Sequence, residues 1–380
     1  MVFVRLPDER QPDNMRNYQL KAALAAQEVK NAKAPSAKRI VLGIDVHLKS
    51  YFVARKIDNA AVGMVAKFRT QEECVFYAER QLRQAEQVVA VYEAGPLGYV
   101  LYRALKAREV DCKVCAPDST LQKQTRRKTN QIDARTLASN LFNYVNGNEQ
   151  ALRLVRVPTE EQERERLRSR QLDALVEERK RLAAKGNALL LSQGYDNCKG
   201  WWRLKTFECL SQALPGWLLE LLKVWVPLLR QLDEQIARAK AELSKRAQGA
   251  RPKGAGAQSM VQLQAELLDW KLYRSKRKIG CLAGMVPSEW STGTGQRLGS
   301  ITKVGVPAIR RNLVEMVWRF KRFQPNYRPI QKWQEVLEGT NRSLKKKAVV
   351  AIGRQLIVDL WRLQTRRATA QQLNLIMIGG

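Results

Sequence analysis

The chain has 380 residues, of which 45% are hydrophobic and 27% charged, a length that predicts two or three domains rather than one core. Its 67 lysines and arginines outnumber 36 acidic residues, which gives a formal net charge of +31. A compact chain with this charge repels itself unless a polyanion neutralises it, so DNA or RNA is the expected partner. An anionic membrane surface is the competing interpretation, but the basic residues run along the whole chain and no lipidation signal accompanies them.

Several classes of protein are disfavoured by what the sequence lacks. No stretch is apolar for long enough to span a bilayer, and the N-terminus has no continuous apolar run of the secretory type, so a cytoplasmic protein with no membrane partner is expected. The six cysteines show no zinc-binding spacing and are expected to be reduced. His47 is the only histidine, which disfavours hydrolysis by a serine or cysteine that needs a histidine base.

The first part of the chain reads as an arm followed by an α/β domain. Residues 1–37 are polar and irregular and are expected to form an N-terminal arm, with a helix around 18–30. Residues 38–150 alternate between apolar runs of strand length and helical spacing. The predicted strands cover 39–46, 50–57, 62–68, 87–94 and 112–117, and the predicted helices cover 71–85, 97–107 and 131–145. Three strands in series, then alternating helices and strands, is the order found in ribonuclease H-like (RuvC-like) domains.

Residues 151–248 are predicted to form a long helical connector. Thr159 and Gln162 make a capping box at the start of a helix that continues to about residue 191. Its apolar stripe under a charged face predicts a helical hairpin or coiled coil, with residues 228–243 as the antiparallel partner. Between the two helices lies a tryptophan-rich insert, which is expected to form a small separate core.

Residues 249–366 are predicted to form an all-α domain, and 367–380 a tail. A linker, GARPKGAG, opens the domain at 249–256, and a glycine-rich loop is predicted at 291–305. The fold class expected for the whole chain is therefore α/β plus all-α.

Three acidic residues of the α/β domain are candidate metal ligands. Asp45 and Glu93 each end an apolar strand, and Asp133 opens the helix that follows. Carboxylates at neighbouring strand ends suit Mg²⁺, and two such ions can activate a nucleophile and stabilise the leaving oxygen in phosphodiester chemistry. Taken singly, each residue is weak evidence, because a lone acidic residue after a strand is more often a turn or helix-cap residue. Their position at the edge of a buried sheet favours a metal site, because a carboxylate there costs desolvation unless a cation compensates.

Blocks of this sequence resemble a known family. GIDVHLKS, VYEAGPLGY and RRKTNQIDARTLA resemble the conserved blocks of the DEDD transposases, which belong to the bacterial insertion-sequence family numbered one hundred and ten and its subgroup numbered eleven hundred and eleven. The stretches PKGAGAQSMVQLQAELLDW, LAGMVPSEWSTGTGQRLGSITKVGVPAIRRNLVEMVWR and FQPNY resemble that family's second conserved domain. The resemblance follows the family's order of blocks and covers about residues 38–335.

The resemblance implies a fold, partners and a reaction. It implies an RNase H-like domain, a coiled-coil connector and a helical transposase domain with a serine nucleophile. It implies a non-coding guide RNA encoded by the element, called bridge RNA or seekRNA, that pairs with donor and target DNA. It also implies a homo-oligomer, a dimer or tetramer, whose active sites combine the acidic domain of one subunit with the serine of another. Such a protein is expected in the bacterial cytoplasm, associated with the nucleoid.

Carried over residue by residue, the resemblance assigns Asp45, Glu93 and Asp133 to acidic, Mg²⁺-binding positions. The family's third acidic position falls on Asn130, whose carbonyl oxygen can bind Mg²⁺ but which lacks the negative charge. Either this variation is tolerated, or the site binds the metal more weakly, or this copy is inactive.

The nucleophile implied by the resemblance falls in the segment Trp290-Ser291-Thr292-Gly293. The family has serine directly before the glycine, so strict register points to Thr292. We favour Ser291, with Thr292 as the alternate, because a primary hydroxyl attacks a crowded phosphorus more readily than a secondary one. A hydroxyl needs activation, and with no histidine nearby the metal ions are the expected activators.

Residues beside these motifs are candidate nucleic-acid contacts. Basic side chains adjoin the acidic motif and flank the serine segment, and a glycine turn before a helix resembles a helix-hairpin-helix turn whose amides could hold a phosphate. Trp290 and Tyr327 are candidates for stacking on bases. The nucleic-acid candidates are Arg126, Arg127, Lys128, Gly254, Gly256, Arg297, Lys303, Arg310 and Arg311.

Two other functions stay open at this point. A metal-dependent junction resolvase would hydrolyse DNA with water and would need the carboxylates but not Ser291. A catalytically disabled RNA- or DNA-binding remnant would bind with strong salt dependence and leave DNA intact.

Overall fold

The computed structural model describes residues 36–117, 129–196, 198–247, 249–292 and 295–379. The helix expected around 18–30 and the cations at 126–128 lie outside these ranges. The chain divides into two compact units, Met1–Val157 and Pro158–Gly380.

The first unit is built on one mixed sheet, and its strands and helices follow the order expected from the sequence. Strand β6 is the exception, since its two residues are too few to give a sequence pattern. The elements are β1 (Ala37–His47), β2 (Ser50–Ile57), β3 (Val65–Phe68), α1 (Gln71–Gln81), β4 (Ala85–Glu93), α2 (Val100–Ala107), β5 (Asp111–Cys115), α3 (Asn130–Val145) and β6 (Leu154–Val155).

The sheet has the order β3-β2-β1-β4-β5-β6. Strands β1, β2 and β3 pair antiparallel as a meander, whereas β1, β4 and β5 pair parallel, and β6 closes the edge antiparallel to β5. Strands β1 and β4 are therefore central, and their buried runs are apolar on both faces.

The two faces of this sheet carry different helices. Ile40, Leu42 and Ile44 of β1 belong to a core cluster with α1 and α2. Val41, on the opposite face, packs with Leu137 of α3. The alternation of strand side chains thus assigns odd-numbered residues of β1 to the face that α3 covers.

The second unit begins with a long helix and is otherwise mainly helical. Its helices are α4 (Glu160–Ser192), α5 (Leu204–Ala213), α6 (Gly216–Lys245), α7 (Ala257–Leu267), α8 (Lys276–Cys281), α9 (Pro307–Phe323), α10 (Arg328–Lys332), α11 (Gln334–Glu338) and α12 (Arg342–Gln364). Its strands form two short ribbons, β7 (Arg251–Pro252) with β10 (Met377–Ile378) and β8 (Pro287–Thr292) with β9 (Gly295–Ile301).

Helices α4 and α6 pack as an antiparallel pair. Leu172, early in α4, shares a buried cluster with Leu243, late in α6, while Leu190 near the end of α4 packs with Leu218 near the start of α6. The predicted capping box is confirmed: the Thr159 hydroxyl accepts from the Gln162 amide at 3.2 Å, and the Gln162 side chain accepts from the Thr159 amide at 3.1 Å.

The predicted start of the partner helix at residue 228 is wrong, because α6 begins at Gly216 and contains Pro227. Leu222 and Val226 lie on the buried face before the proline and Leu229 after it, so one apolar stripe holds the helix together across the missing amide. The expected tryptophan core is present in part: Trp201 and Trp202 are buried, whereas Trp217 belongs to α6 and is 52% exposed.

Helices α7 to α12 surround the largest core described in the second unit, which lies between α7, α9 and α12. The predicted loop at 291–305 is wrong over most of the residues that the structure describes there, because 287–292 and 295–301 pair as the antiparallel strands β8 and β9. The residues after α12 pack into the same core through Leu373 and Leu375, and β10 pairs with β7. In the part of the chain that the structure describes, no helix combines the length and apolarity that a bilayer crossing requires.

Candidate active site and nucleic-acid contacts

Asp45 and Glu93 lie at the carboxyl ends of two neighbouring parallel strands. The last registered pair of β1 and β4 is Ile44 with Tyr92, and the two acidic residues follow it directly. Parallel strands end at the same edge of a sheet, so the two carboxylates belong to one edge.

The two side chains also belong to one face of the sheet. Val41 and Val91 pack with Leu137 of α3, and Asp45 and Glu93 follow them at even spacing along their own strands. Because strand side chains alternate, Asp45 and Glu93 are on the face that α3 covers. Asp45 is half-buried and Glu93 is exposed.

Helix α3 brings Asp133 to the same end of the sheet. A Cβ built on Gly43 would lie 2.3 Å from the Ala134 carbonyl oxygen and 2.3 Å from the Ala138 amide nitrogen, so the helix backbone rests directly on β1 at this glycine. Later turns of α3 contact earlier residues of β1, which means that α3 starts near the carboxyl end of the strand. Its first turn, with Asn130 and Asp133, therefore lies beside the edge that carries Asp45.

The side chains at this edge have partners within the protein. His47, two residues after Asp45 on the same strand face, has Nε2 2.9 Å from Asp45 Oδ2. Asp45, Glu93 and Asp133 all have interactions of their own. In residues 36–117, 129–196 and the later described ranges, no three His, Cys, Asp or Glu side chains are gathered in a metal-binding arrangement. Asp45 and Glu93 share an edge and a face of the sheet, Asn130 and Asp133 begin the helix beside that edge, and the oxygen donors of all four are of the kind that Mg²⁺ prefers.

Ser291 lies at the end of β8 in the second unit. It is exposed, and its hydroxyl donates a hydrogen bond of 2.6 Å to Oε1 of Glu289. Thr292 is the last residue of β8. Trp290, between Ser291 and Glu289, is 65% exposed and available for stacking, and its ring packs over Gly299 of the facing strand.

Glu289 is a functional candidate that the sequence interpretation missed. It stands two residues before Ser291 on a strand, so both side chains project from the same face. The signal, a Glu-x-Ser spacing, has meaning only in a strand, whereas the sequence pattern predicts a loop there. A carboxylate in this position can accept the proton of an attacking hydroxyl.

Two of the predicted phosphate contacts are engaged inside the chain. The Arg310 guanidinium donates to the Ala283 carbonyl at 2.8 Å, and Arg311 forms an ion pair with Asp173 of α4. Burial raises the pKa of Asp173, against the opposing effect of the Arg311 guanidinium. A phosphate would therefore have to compete with these contacts for either arginine.

Arg297 and Lys303 have exposed side chains near the hairpin. Gly254 has a φ of +92°, which explains the glycine there, and Gly256 is the residue before α7. A Cβ on Gly256 would lie 2.9 Å from the Arg319 guanidinium, which shows that this turn and a cation are adjacent. Tyr327 is 1% exposed and its hydroxyl donates to Asp359 at 2.8 Å, so the expectation that it stacks on bases is wrong.

Comparisons with known proteins agree on one family. The profile of the family described as "Transposase IS116/IS110/IS902 family" matches residues 250–331. The chain is 28% identical over 386 residues to a putative transposase, y4rJ, of Sinorhizobium fredii (strain NBRC 101917 / NGR234), covering 89% of this chain and 96% of the relative. It is 30% identical over 290 residues to another from the same strain, y4qE, covering 74% and 71%. It is 31% identical over 166 residues to the transposase for insertion sequence element IS1328 of Yersinia enterocolitica, covering 41% and 50%.

Proposed function

This chain belongs to the IS116/IS110/IS902 family of transposases, and from that membership we propose that it cuts and rejoins DNA strands through a covalent bond to Ser291, under the guidance of an RNA encoded by the same element. The formal charge of +31 supports a protein that binds nucleic acid. In this proposal specificity comes from base pairing with the RNA, and the protein supplies the chemistry.

The observation that carries the metal part of the proposal is that Asp45 and Glu93 share an edge and a face of the sheet, beside the first turn of α3. Asp45, Glu93, Asn130 and Asp133 would hold Mg²⁺ through carboxylate and amide oxygens. When bound, Mg²⁺ would supply positive charge against the scissile phosphate. The strand order, in which an antiparallel meander is extended by parallel strands, supports an RNase H-like assignment for this unit.

The covalent step needs a hydroxyl and a group that takes its proton. Ser291 Oγ attacks the scissile phosphorus and its proton passes to the Glu289 carboxylate. One bridging P–O ester bond breaks, the departing strand oxygen takes up a proton from water, and Glu289 later returns its proton to water. The phosphate that links Ser291 to the DNA strand is again a phosphodiester, so the energy of the broken ester bond is retained in the new one. A strand hydroxyl can then attack the phosphoserine and release Ser291, which rejoins DNA without an external energy source.

A covalent trap tests this proposal. The full-length protein, co-expressed with the element RNA, is mixed with end-labelled donor and target DNA and Mg²⁺, denatured and separated by size. The unmutated chain is expected to carry label, Ser291→Ala to lose it, and the matched variant Thr292→Ala to keep it. Asp45→Ala is expected to abolish both cleavage and label, since it removes a metal ligand.

Three results would contradict the proposal. A Thr292→Ala variant without label beside a labelled Ser291→Ala variant would reassign the nucleophile. Cut DNA without attached protein in every sample would indicate hydrolysis by a metal-dependent nuclease. Intact DNA throughout, with salt-sensitive binding, would indicate a binding protein without catalytic activity.

A further inference from the structure

A second cationic surface lies in the helical part of the second unit, between the start of α8 and α12. It is an open cavity of about 920 Å³. We name it the cationic groove and define it by five of its lining side chains: Lys276, Arg277, Arg354, Arg362 and Arg367. Its remaining lining residues are Ser275, Ala351, Gln355, Val358 and Trp361.

The positive charge of this groove is not balanced from within its lining. Among the described residues that line it, none is acidic. The nearby buried carboxylate of Asp359 accepts from the Tyr327 hydroxyl at 2.8 Å, from the Gln355 amide at 3.0 Å and from Arg362 at 3.3 Å. That carboxylate is shared by three donors and lies outside the lining. Arg362 is paired with it, and the other four groove cations have no acidic partner among the lining residues.

Two other cavities in the same unit provide the contrast. One is lined by Asp173, Glu177 and Glu315 together with three cations, and the other by Glu161 and Glu165 together with three cations. Both mix charges of opposite sign, as ordinary surface clefts do. The cationic groove does not, and like charges gathered in this way repel one another unless an anion occupies the space between them.

The floor of the groove is ordered. The Arg367 guanidinium lies 4.4 Å from the centre of the Trp361 ring, and the Trp361 indole nitrogen is buried with no acceptor among the described residues. Arg367 is fixed where α12 ends: its amide donates to the Arg362 carbonyl at 2.7 Å, and Arg366 has a φ of +57°. On the opposite wall, a Cβ built on Gly280 would lie 3.9 Å from Arg354 Nε, so α8 and α12 approach closely here.

From these observations we infer that the cationic groove binds the phosphodiester backbone of a nucleic acid. The groove is open to solvent, so a polymer with a charge at each nucleotide can reach its cations without being enclosed. Arginines dominate it, and their guanidinium groups match phosphate oxygens in geometry and give up water more readily than an ammonium. The groove cations would contact the phosphates of the nucleic acid. Such contacts fix the position of the nucleic acid on the protein but do not recognise its base sequence.

The inference rests on the proposed function only in taking nucleic acid as the partner. It makes no use of Ser291, the carboxylate edge or the cations flanking the hairpin. It adds to those a backbone-binding surface formed by residues 276–277 and 354–367, segments about 80 residues apart in the sequence.

The test measures binding of the full-length protein to a labelled DNA duplex and a labelled single-stranded RNA over a range of KCl concentrations. Arg277→Gln/Arg354→Gln removes two exposed groove cations. Arg203→Gln/Arg328→Gln removes two exposed arginines elsewhere and lowers the net charge equally. Arg277→Lys/Arg354→Lys keeps the groove charge and controls for changes in folding.

Removal of one cation that binds a phosphate is expected to lower the slope of log K against log salt by about 1. The groove double variant should therefore lower the slope by about 2 with whichever nucleic acid occupies the groove. The control pair should keep the slope of the unmutated protein, and the lysine pair should restore most of it. The duplex and RNA arms identify which polymer binds.

If the groove variant and the control variant lowered the slope of log K against log salt equally with both probes, the inference would be overturned. The groove cations would then contribute only to the overall positive charge of the protein. The same salt titration is made with poly-L-glutamate as a third probe. If the groove double variant lowered the slope with poly-L-glutamate but with neither nucleic acid, the inference would be overturned and the partner would be an acidic protein segment. If the unmutated protein bound neither nucleic acid, the proposed function would fail. If the groove variant cleaved DNA normally and kept the salt slope of the unmutated protein, only the groove inference would be overturned.

Discussion

In the proposed reaction, one hydrogen bond between two side chains determines how Ser291 would be activated. The hydroxyl donates to Glu289, and both residues project from one face of a two-stranded hairpin. A strand holds this pair in a fixed relation that a loop would not, because residues i and i+2 of a strand are side by side. Glu289 can then act as the base that a histidine supplies in other nucleophilic sites.

Glu289→Gln separates proton transfer from positioning. The amide oxygen of glutamine still accepts a hydrogen bond from Ser291 but cannot take its proton. We expect the rate of covalent adduct formation to fall about 100-fold, the lower end of what a general base contributes, with DNA affinity unchanged. Rates are measured by quenching the trapping reaction at successive times and at several pH values.

Glu335→Gln, which removes another exposed carboxylate of the same unit, should leave the rate unchanged and serves as the control. Glu289→Gln should also flatten the rise in rate with pH that a carboxylate base produces. An unaltered rate and pH profile would mean that the metal ions alone activate the hydroxyl.

Among the helices and strands, α3 has the closest relation to the candidate metal site. It lies against β1 at Gly43, where its backbone leaves no room for a side chain, and its first turn carries Asn130 and Asp133. The distance between α3 and β1 thus sets how near Asp133 comes to Asp45. The close packing of α3 on β1 requires glycine at position 43, because a larger side chain would meet the helix backbone.

Gly43→Ala should therefore affect stability and catalysis together. The new methyl would meet the Ala134 and Ala138 backbone at 2.3 Å, which forces α3 away from the sheet. We expect a loss of about 1–3 kcal/mol in the free energy of unfolding, as for other overpacked sites, and a loss of Mg²⁺-dependent cleavage. Thermal or urea unfolding and the cleavage assay provide the two readouts.

Gly63→Ala is the matched control, because its Cβ would lie 3.4 Å from the Arg55 carbonyl oxygen, close to an ordinary contact. It should leave both readouts near those of the unmutated protein. If Gly43→Ala were as stable and active as this control, α3 would not be fixed against β1 in the way described.

Element by element, the sequence pattern is most informative where apolar residues are continuous. The predicted bounds of β1 and β4 lie within two residues of the observed ends, because buried β-branched runs have few alternatives. The sequence pattern misses the β8–β9 hairpin since its glycines and serines resemble a loop, and its strand character comes from cross-strand pairing. It misses the first part of α6 because Pro227 suggests a boundary that packing overrides.

The candidate site residues also fall into those whose positions the sequence pattern indicates and those whose positions it does not. Asp45, Glu93 and Asp133 are predictable because strand ends and helix starts are visible in the sequence. Glu289 is not, because its role depends on the hairpin. The cationic groove is not either, because its residues come from α8 and α12, which are far apart in the sequence and are brought together by the core that they share.

At the scale of the whole molecule, the dominant property is a formal charge of +31. Neutralisation within the chain is incomplete, since basic residues outnumber acidic ones by 67 to 36. Self-repulsion therefore opposes folding, and dissolved ions or a bound polyanion relieve it.

Salt should consequently have opposite effects on the free and the DNA-bound protein. For the free chain we expect Tm to rise as KCl increases from about 0.01 M to about 0.15 M, where the Debye length falls from roughly 30 Å to roughly 8 Å. With a short duplex present, Tm should start higher and fall over the same range, because salt dissociates the complex. Differential scanning fluorimetry measures both; a Tm of the free protein that falls with salt would contradict the argument.

The pairing of β7 with β10 has a further consequence for how this molecule is assembled. A Cβ built on Gly379 would lie 4.0 Å from the Gly249 carbonyl oxygen, so the segment that starts at Gly249 ends beside its own beginning. Gln324 holds the junction, donating to the Lys253 and Ile376 carbonyls at 2.8 Å each. A segment with adjacent ends can be inserted, exchanged or circularly permuted with little disturbance to the chain that carries it. Residues 249–379, about a third of the chain, thus form a segment whose first and last residues lie next to each other, which is the geometry that insertion or circular permutation requires.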